Sequence, residues 1–217
     1  MTIHYRRNFI LALAAALALL VDHASAVTYT WSGATSNNWS TPSNWTGGAA
    51  PVASNTTDII ISGTANVGNM FLGTLTPTIR SLTFDASNDG FTSLSLSATL
   101  NPNSTSRNLT FSSASGNATL TVESGSTGDK IINRVTIATN LQTATITLAS
   151  SLDVIHNGSG LLTFGTQTVI AGPGGINKSG TGTLVLAGTN TYTNTTTINE
   201  GVLQVTNGAA IDVPLLL

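Results

Sequence analysis

Apolar and polar residues alternate along most of this chain with a period of two. The triplet apolar, polar or small, apolar recurs at Leu82-Thr83-Phe84, Leu94-Ser95-Leu96, Leu109-Thr110-Phe111 and Leu120-Thr121-Val122. It returns at Val135-Thr136-Ile137, Ile146-Thr147-Leu148, Leu162-Thr163-Phe164, Leu184-Val185-Leu186 and Leu203-Gln204-Val205. This period, with many β-branched residues, predicts short strands that bury one face and wet the other. Asn101-Pro102-Asn103, Gly125-Ser126-Thr127-Gly128, Asn157-Gly158-Ser159-Gly160 and Gly172-Pro173-Gly174-Gly175 fill gaps between triplets and predict turns. Two or three inward residues per strand suit a stack in which each coil is covered by its neighbours. The last triplet starts lie 22 and 19 residues apart, a length that suits one coil of a parallel β-helix. Thr143, Thr145 and Thr147 then fall where hydroxyl ladders between coils can form. Because the earlier spacings are irregular, a β-sandwich is the alternative fold.

The ends of the chain depart from this pattern. Arg6 and Arg7 precede an apolar run from Phe9 to Val21, and Ala24-Ser25-Ala26 supplies small residues for cleavage. These features predict an export signal over residues 1–26, since 13 apolar residues are too few for a stable membrane-spanning helix. All three Trp then fall between residues 27 and 57, in Thr30-Trp31-Ser32, Asn38-Trp39-Ser40 and Asn44-Trp45-Thr46. This zone is expected to be turns and short strands that plug the open first coil, each indole burying about 150–250 Å². Exposed Trp31, Trp39 and Trp45 stacking on sugar rings would instead make a carbohydrate-binding module. Residues 58–206 are expected to form the β-helix, and 207–217 its tail.

Composition narrows the function classes. The 217 residues include 37 Thr, 23 Ser and 20 Asn, whereas charged residues make up only 7%. Five bases after residue 26 (Arg80, Arg107, Lys130, Arg134, Lys178) cannot neutralise a run of phosphates, so no nucleic-acid partner is expected. The chain has no cysteine, which removes disulfides, thiolate metal sites and cysteine nucleophiles. His156 is the one imidazole beyond the predicted signal. No metal and no cofactor are therefore expected.

Between Gly174 and Val205 the residues are distinctive: Gly-Gly-Ile-Asn-Lys-Ser-Gly-Thr-Gly-Thr-Leu-Val-Leu-Ala-Gly-Thr-Asn-Thr-Tyr, then Thr-Asn-Thr-Thr-Thr-Ile-Asn-Glu-Gly-Val-Leu-Gln-Val. This stretch resembles the autotransporter-associated β-strand repeat, also called the passenger-associated transport repeat. The positions that match are Gly175, Lys178, Gly180, Gly182, Leu184, Leu186, Gly188, Asn190, Tyr192, Gly201, Leu203 and Val205. The resemblance implies a right-handed parallel β-helix on an exported protein at the bacterial surface, with the repeat assisting outward passage of the passenger. Asn194-Thr195 stands where the family usually has Gly-Gly, so the turn there is expected to differ. One clear copy is present and no series of lipid-facing strands follows, so the chain is expected to be a truncated member.

Candidate chemistry is sparse. Asp85-Ala86-Ser87-Asn88-Asp89-Gly90 has the look of a calcium loop, but Leu96 occupies the position that needs a bidentate Glu, and a turn is expected. Asp153, His156 and Ser159 are spaced three apart, too close along a strand for triad geometry. A β-helical polysaccharide lyase or hydrolase needs two facing carboxylates. Asp58, Asp85, Asp89, Glu123, Asp129, Asp153, Glu200 and Asp212 are scattered through predicted turns. Asp129, Lys130 and Arg134 are expected to form a solvated turn with surface ion pairs. These readings converge on a non-enzymatic exported scaffold, with passenger transport or adhesion as its task. Cell-surface glycans and an export apparatus are the partner classes left open.

Overall fold

Alternation translates directly into burial: in Ala118-Thr119-Leu120-Thr121-Val122 the first, third and fifth side chains are buried and the Thr pair is half-exposed. The computed structural model describes residues 25–63, 69–73, 75–87, 91–97, 107–134, 143–206 and 215–216. The predicted signal up to residue 24, the triplet Val135-Thr136-Ile137, the turn at 101–103, Asn88-Asp89-Gly90 and most of the tail lie outside them.

The described strands make three sheets. The first holds β1 (Val27–Trp31), β2 (Thr57–Ile61), β5 (Ser81–Phe84), β8 (Ala118–Val122), β11 (Leu152–His156), β14 (Ile176–Ser179), β16 (Thr196–Ile198) and β18 (Leu215–Leu216), in that order. The second runs from β3 (Asn69–Phe71) through β6 (Ser93–Ser95), β9 (Lys130–Asn133), β12 (Leu161–Phe164) and β15 (Thr183–Leu186) to β17 (Val202–Val205). In the third, β4 (Thr78–Ile79) neighbours β7 (Leu109–Phe111), followed by β10 (Ala144–Leu148) and β13 (Thr168–Ala171). Every ladder is parallel. From β2 to β15 the chain visits first, second and third sheet in strict rotation. A parallel bridge from Ile170 to Asn190 continues the third sheet between β15 and β16. The one helical element among the described residues is a short 3-10 turn at Pro42–Asn44.

Register stacks like residues on like. Trp31, Ile61, Phe84, Val122 and His156 share one column of the first sheet, and Ile59, Leu82, Leu120, Val154, Lys178 and Ile198 share another. In the second sheet Met70, Leu94, Ile132, Phe164, Leu186 and Val205 are aligned. Leu109, Ile146 and Ile170 do the same in the third. The inward members of all three sheets meet in a single apolar core. On the outer faces Thr78, Thr110 and Thr147 form a hydroxyl-bearing column, as the ladder expectation requires of Thr147. Thr145 pairs instead with Val169.

One circuit of the sheets takes 22 residues from Leu162 to Leu184 and 19 from Leu184 to Leu203, the spacing expected of the last coils. Two middle circuits are longer, 38 residues from Leu82 to Leu120 and 34 from Leu120 to Val154, against 23 from Ile59 to Leu82 and 24 from Val154 to Lys178. Extra residues fall between strands, so they disturb the spacing of triplets without disturbing register.

The cluster Asp129-Lys130-Arg134 corrects the expectation of a solvated turn. Lys130 opens strand β9 and is 1% exposed, while Arg134 is fully buried. Lys130 is aligned with Leu162, Leu184 and Leu203, so its ammonium is carried on an inward position. Its Nζ donates to the carbonyl of Thr127 at 2.6 Å, which replaces lost hydration.

Candidate functional site

Within the distinctive 174–205 stretch, Lys178, Gly180, Gly182 and Gly201 meet at the corner where the first sheet turns into the second, while Gly188 and Asn190 lie along the third. Strand β14 presents Ile176 and Lys178 inward and Asn177 outward. Lys178 therefore occupies an apolar slot, below Val154 and above Ile198, and is fully buried. Its Nζ bends into the corner and donates to the carbonyls of Ser179 (2.7 Å), Gly180 (2.6 Å) and Glu200 (3.2 Å). Three acceptors match the three protons of an ammonium, and they tie the turn after β14 to the turn after β16. Burial lowers the Lys178 pKa, and the nearby Glu200 charge opposes that shift.

Glycines make this corner possible. Gly180 and Gly201 hold φ of +74° and +76°, the left-handed region that a β-carbon disfavours. Gly182 is required for a different reason: a β-carbon there would stand 2.6 Å from Cγ of the His156 ring. At Gly188 the obstacle is the carbonyl of Thr168, and at Gly175 the carbonyl of Thr195. Leu184 and Leu186 are fully buried, whereas Leu203 is half-buried and Val205 is exposed. Asn190 is buried and accepts from the Ile170 N–H at 3.4 Å. Tyr192 is buried with its hydroxyl on Thr196 Oγ1, and burial raises its pKa. At the turn expected to differ, Asn194 Oδ1 accepts from the Thr195 N–H at 2.8 Å, a side-chain closure that the usual Gly-Gly cannot make.

His156 belongs to the same corner. It ends β11 on an inward position and is 1% exposed. Its Nε2 lies 2.9 Å from the Gly160 carbonyl, and its Nδ1 is 3.2 Å from the Gly158 nitrogen, whose N–H it accepts. The ring is thus neutral with the proton on Nε2. Desolvation lowers its pKa, the Gly160 bond works the other way, and the charges of Lys178 and Lys130 add to the lowering.

The remaining candidates separate. Asp153 and His156 project from opposite faces of β11, because an odd separation along a strand reverses direction. Asp153 points outward and accepts from Asn117 Nδ2 at 2.9 Å and Asn177 Nδ2 at 2.7 Å; Ser159 is exposed in the following turn. No triad forms there. Four other described carboxylates have structural partners, whereas Glu200 is exposed and engages Lys178 through its backbone carbonyl. Asp58 pairs with Arg80 and accepts from Ser81 Oγ at 2.6 Å, Asp85 accepts from the Ser87 N–H, Glu123 from the Ala86 N–H and Asp129 from the Leu161 N–H. Asp89 and Asp212 lie outside the described residues. Among the described residues no group of three or more His, Cys, Asp or Glu could hold a metal ion.

At the other end, Trp31, Trp39 and Trp45 are 1%, 0% and 2% exposed. Trp45 takes edge-to-face contacts from Trp31 and Trp39, both with ring centroids 5.0 Å away. Rings so covered leave no face for a sugar to stack on. Asn44, fully buried, organises the loop around them: Oδ1 accepts from the Thr35 and Ser36 N–H groups, both at 2.9 Å, and Nδ2 donates to the Asn38 carbonyl.

The inward Lys178, His156 and Lys130 escaped the sequence reading, which weighed them as charges and not as positions. The signal was present in the alternation itself: Ile176-Asn177-Lys178 and Leu152-Asp153-Val154-Ile155-His156 put both groups on the apolar phase.

Among the described residues no helix is long and apolar enough to cross a membrane. No curated protein and no solved structure matches the chain. Over residues 176–205, which contribute β14 to β17 and the Lys178 ammonium with its three acceptors, the chain matches the passenger-associated-transport-repeat family and carries that repeat as part of its parallel sheets.

Proposed function

We propose that this chain is a non-enzymatic, exported structural segment of passenger type, folded as a right-handed parallel β-helix that serves as a scaffold at the bacterial surface. The observation that carries this reading is the position of the repeat: its strands extend the first and second sheets in unbroken register with the strands before them. Three parallel sheets visited in rotation around one core support a β-helix, and the right hand is the one parallel crossovers nearly always take. Residues 1–26 act as the export signal, 27–57 as the cap, and 58–206 as the helix proper. Buried indoles support the cap in preference to a sugar-binding face. The structural engagement of Asp58, Asp85, Glu123, Asp129 and Asp153 supports a role without catalysis.

The test is export. The full chain is expressed in a Gram-negative host and its exposure measured by protease added to intact cells. The expected result is a protease-accessible chain, with deletion of 176–205 lowering the exposed share at unchanged total level. A chain held in the cytoplasm, or a deletion without effect on exposure, would overturn the proposal.

A further inference from the structure

The buried corner built by His156, Lys178 and Lys130 has a property that scaffolding does not require. The imidazole accepts a backbone N–H at Nδ1 and gives its own proton to the Gly160 carbonyl, so both ring nitrogens are committed in one tautomer. A proton added to Nδ1 would face the Gly158 N–H donor to donor. The charged groups that face the ring are Lys178 from β14 and Lys130 from β9, both cations and both buried. Of the acids nearby, Asp129 accepts from the Leu161 N–H, Glu123 accepts from the Ala86 N–H, and exposed Glu200 acts on Lys178. Among the described residues the charges that act on the ring are both positive, and no carboxylate is bonded to it.

The ring also holds two turns together. It fills the space in front of Gly182, and the Gly182 N–H donates to the His156 carbonyl at 2.7 Å. Expelling the ring therefore uncovers the turn at 157–160 and the turn at 180–182 at once. We propose that His156 is an acid-operated latch, which closes this corner of the transport repeat at neutral pH and releases it locally when the imidazole is protonated. The lowered pKa of the buried ring is in keeping with that behaviour. The latch is a property of the folded corner and stands apart from where the chain is exported.

Linkage sets the size of the effect. If the ring takes its proton only in the open state, with the ordinary pKa of 6.5, opening rises about tenfold by pH 5.5 and about a hundredfold by pH 4.5. Amide hydrogen exchange on the full chain, corrected for intrinsic rates, reads this directly. The Gly158 and Gly182 amides, which donate to the His156 ring and carbonyl, should lose protection by those factors, while Ile146 and Leu148 in β10 should not. His156→Gln should abolish the pH dependence. Constant protection at the corner down to pH 4.5, or the same loss in His156→Gln, would overturn the latch. Should that variant not fold, imidazole nitrogen resonances of the unaltered chain decide. A His156 ring that stays neutral on Nε2 well below pH 6.5 supports the latch, and one that titrates at or above 6.5 without loss of protection refutes it.

Discussion

Trp45 donates its indole N–H to the backbone carbonyl of Trp39 at 2.7 Å, and its ring is the hub on which Trp31, Trp39 and Tyr29 meet edge-on. Trp31 is also the first member of the inward column that continues through Ile61, Phe84 and Val122 to His156. The cap is thereby one piece with the core it closes. Trp45→Ala should cost about 3–5 kcal/mol, the usual loss for a large buried ring. Trp45→Phe should cost less, about 1–3 kcal/mol, mostly from leaving the Trp39 carbonyl without its donor. Denaturant unfolding distinguishes the two. In the native protein the indoles should resist acrylamide quenching and ignore added glycans.

Leu184 and Leu186 face the core and Thr183 does not. Leu184→Ala and Leu186→Ala should each lose about 2–5 kcal/mol, since a narrow coil cannot collapse around the void. Thr183→Ala should stay within about 0.5 kcal/mol. Equal losses at all three positions would contradict the facing.

Gly182 and His156 are coupled by contact. Gly182→Ala drives a methyl into the imidazole and should destabilise by about 1–3 kcal/mol, the usual cost of overpacking. In a His156→Ala background the same substitution should cost much less. A double-mutant cycle with no coupling would mean that the glycine serves the backbone alone.

Tyr192 gives the repeat an alkaline limit. Its pKa is raised in the fold, so above pH 10 the unfolded chain ionises first and stability falls as pH rises further. Tyr192→Phe removes this slope, at the expense of the hydroxyl contact to Thr196. The alkaline unfolding curve of the variant should be flatter above pH 10, whatever its stability at neutral pH. His156 acts on the other side: its lowered pKa makes the unfolded chain bind more protons below pH 6.5, so stability falls as pH drops from there.

The strands at Leu109–Phe111, Ala118–Val122, Ala144–Leu148, Leu161–Phe164 and Thr183–Leu186 were legible because period two is a local property of the residues themselves. Strands such as β9 and β14 were harder, because their inward positions carry Lys130 and Lys178 and composition alone assigns lysine to solvent. Burial of an ammonium depends on carbonyls from turns that are far apart in sequence, Gly180 and Glu200 in the case of Lys178.

Sequence by itself determined the strongly alternating strands and their facing, the repeat motif at 174–205 and the clustering of Trp near the start. These rest on alternation, turn chemistry and residue spacing, all of which act over a few neighbours. Tertiary structure alone decided which strands stack, that three sheets share one core, and that His156, Lys130 and Lys178 come together at a common corner. Each of those outcomes is set by register between residues 19 to 38 positions apart, where extra turn residues change the sequence distance without changing the contact.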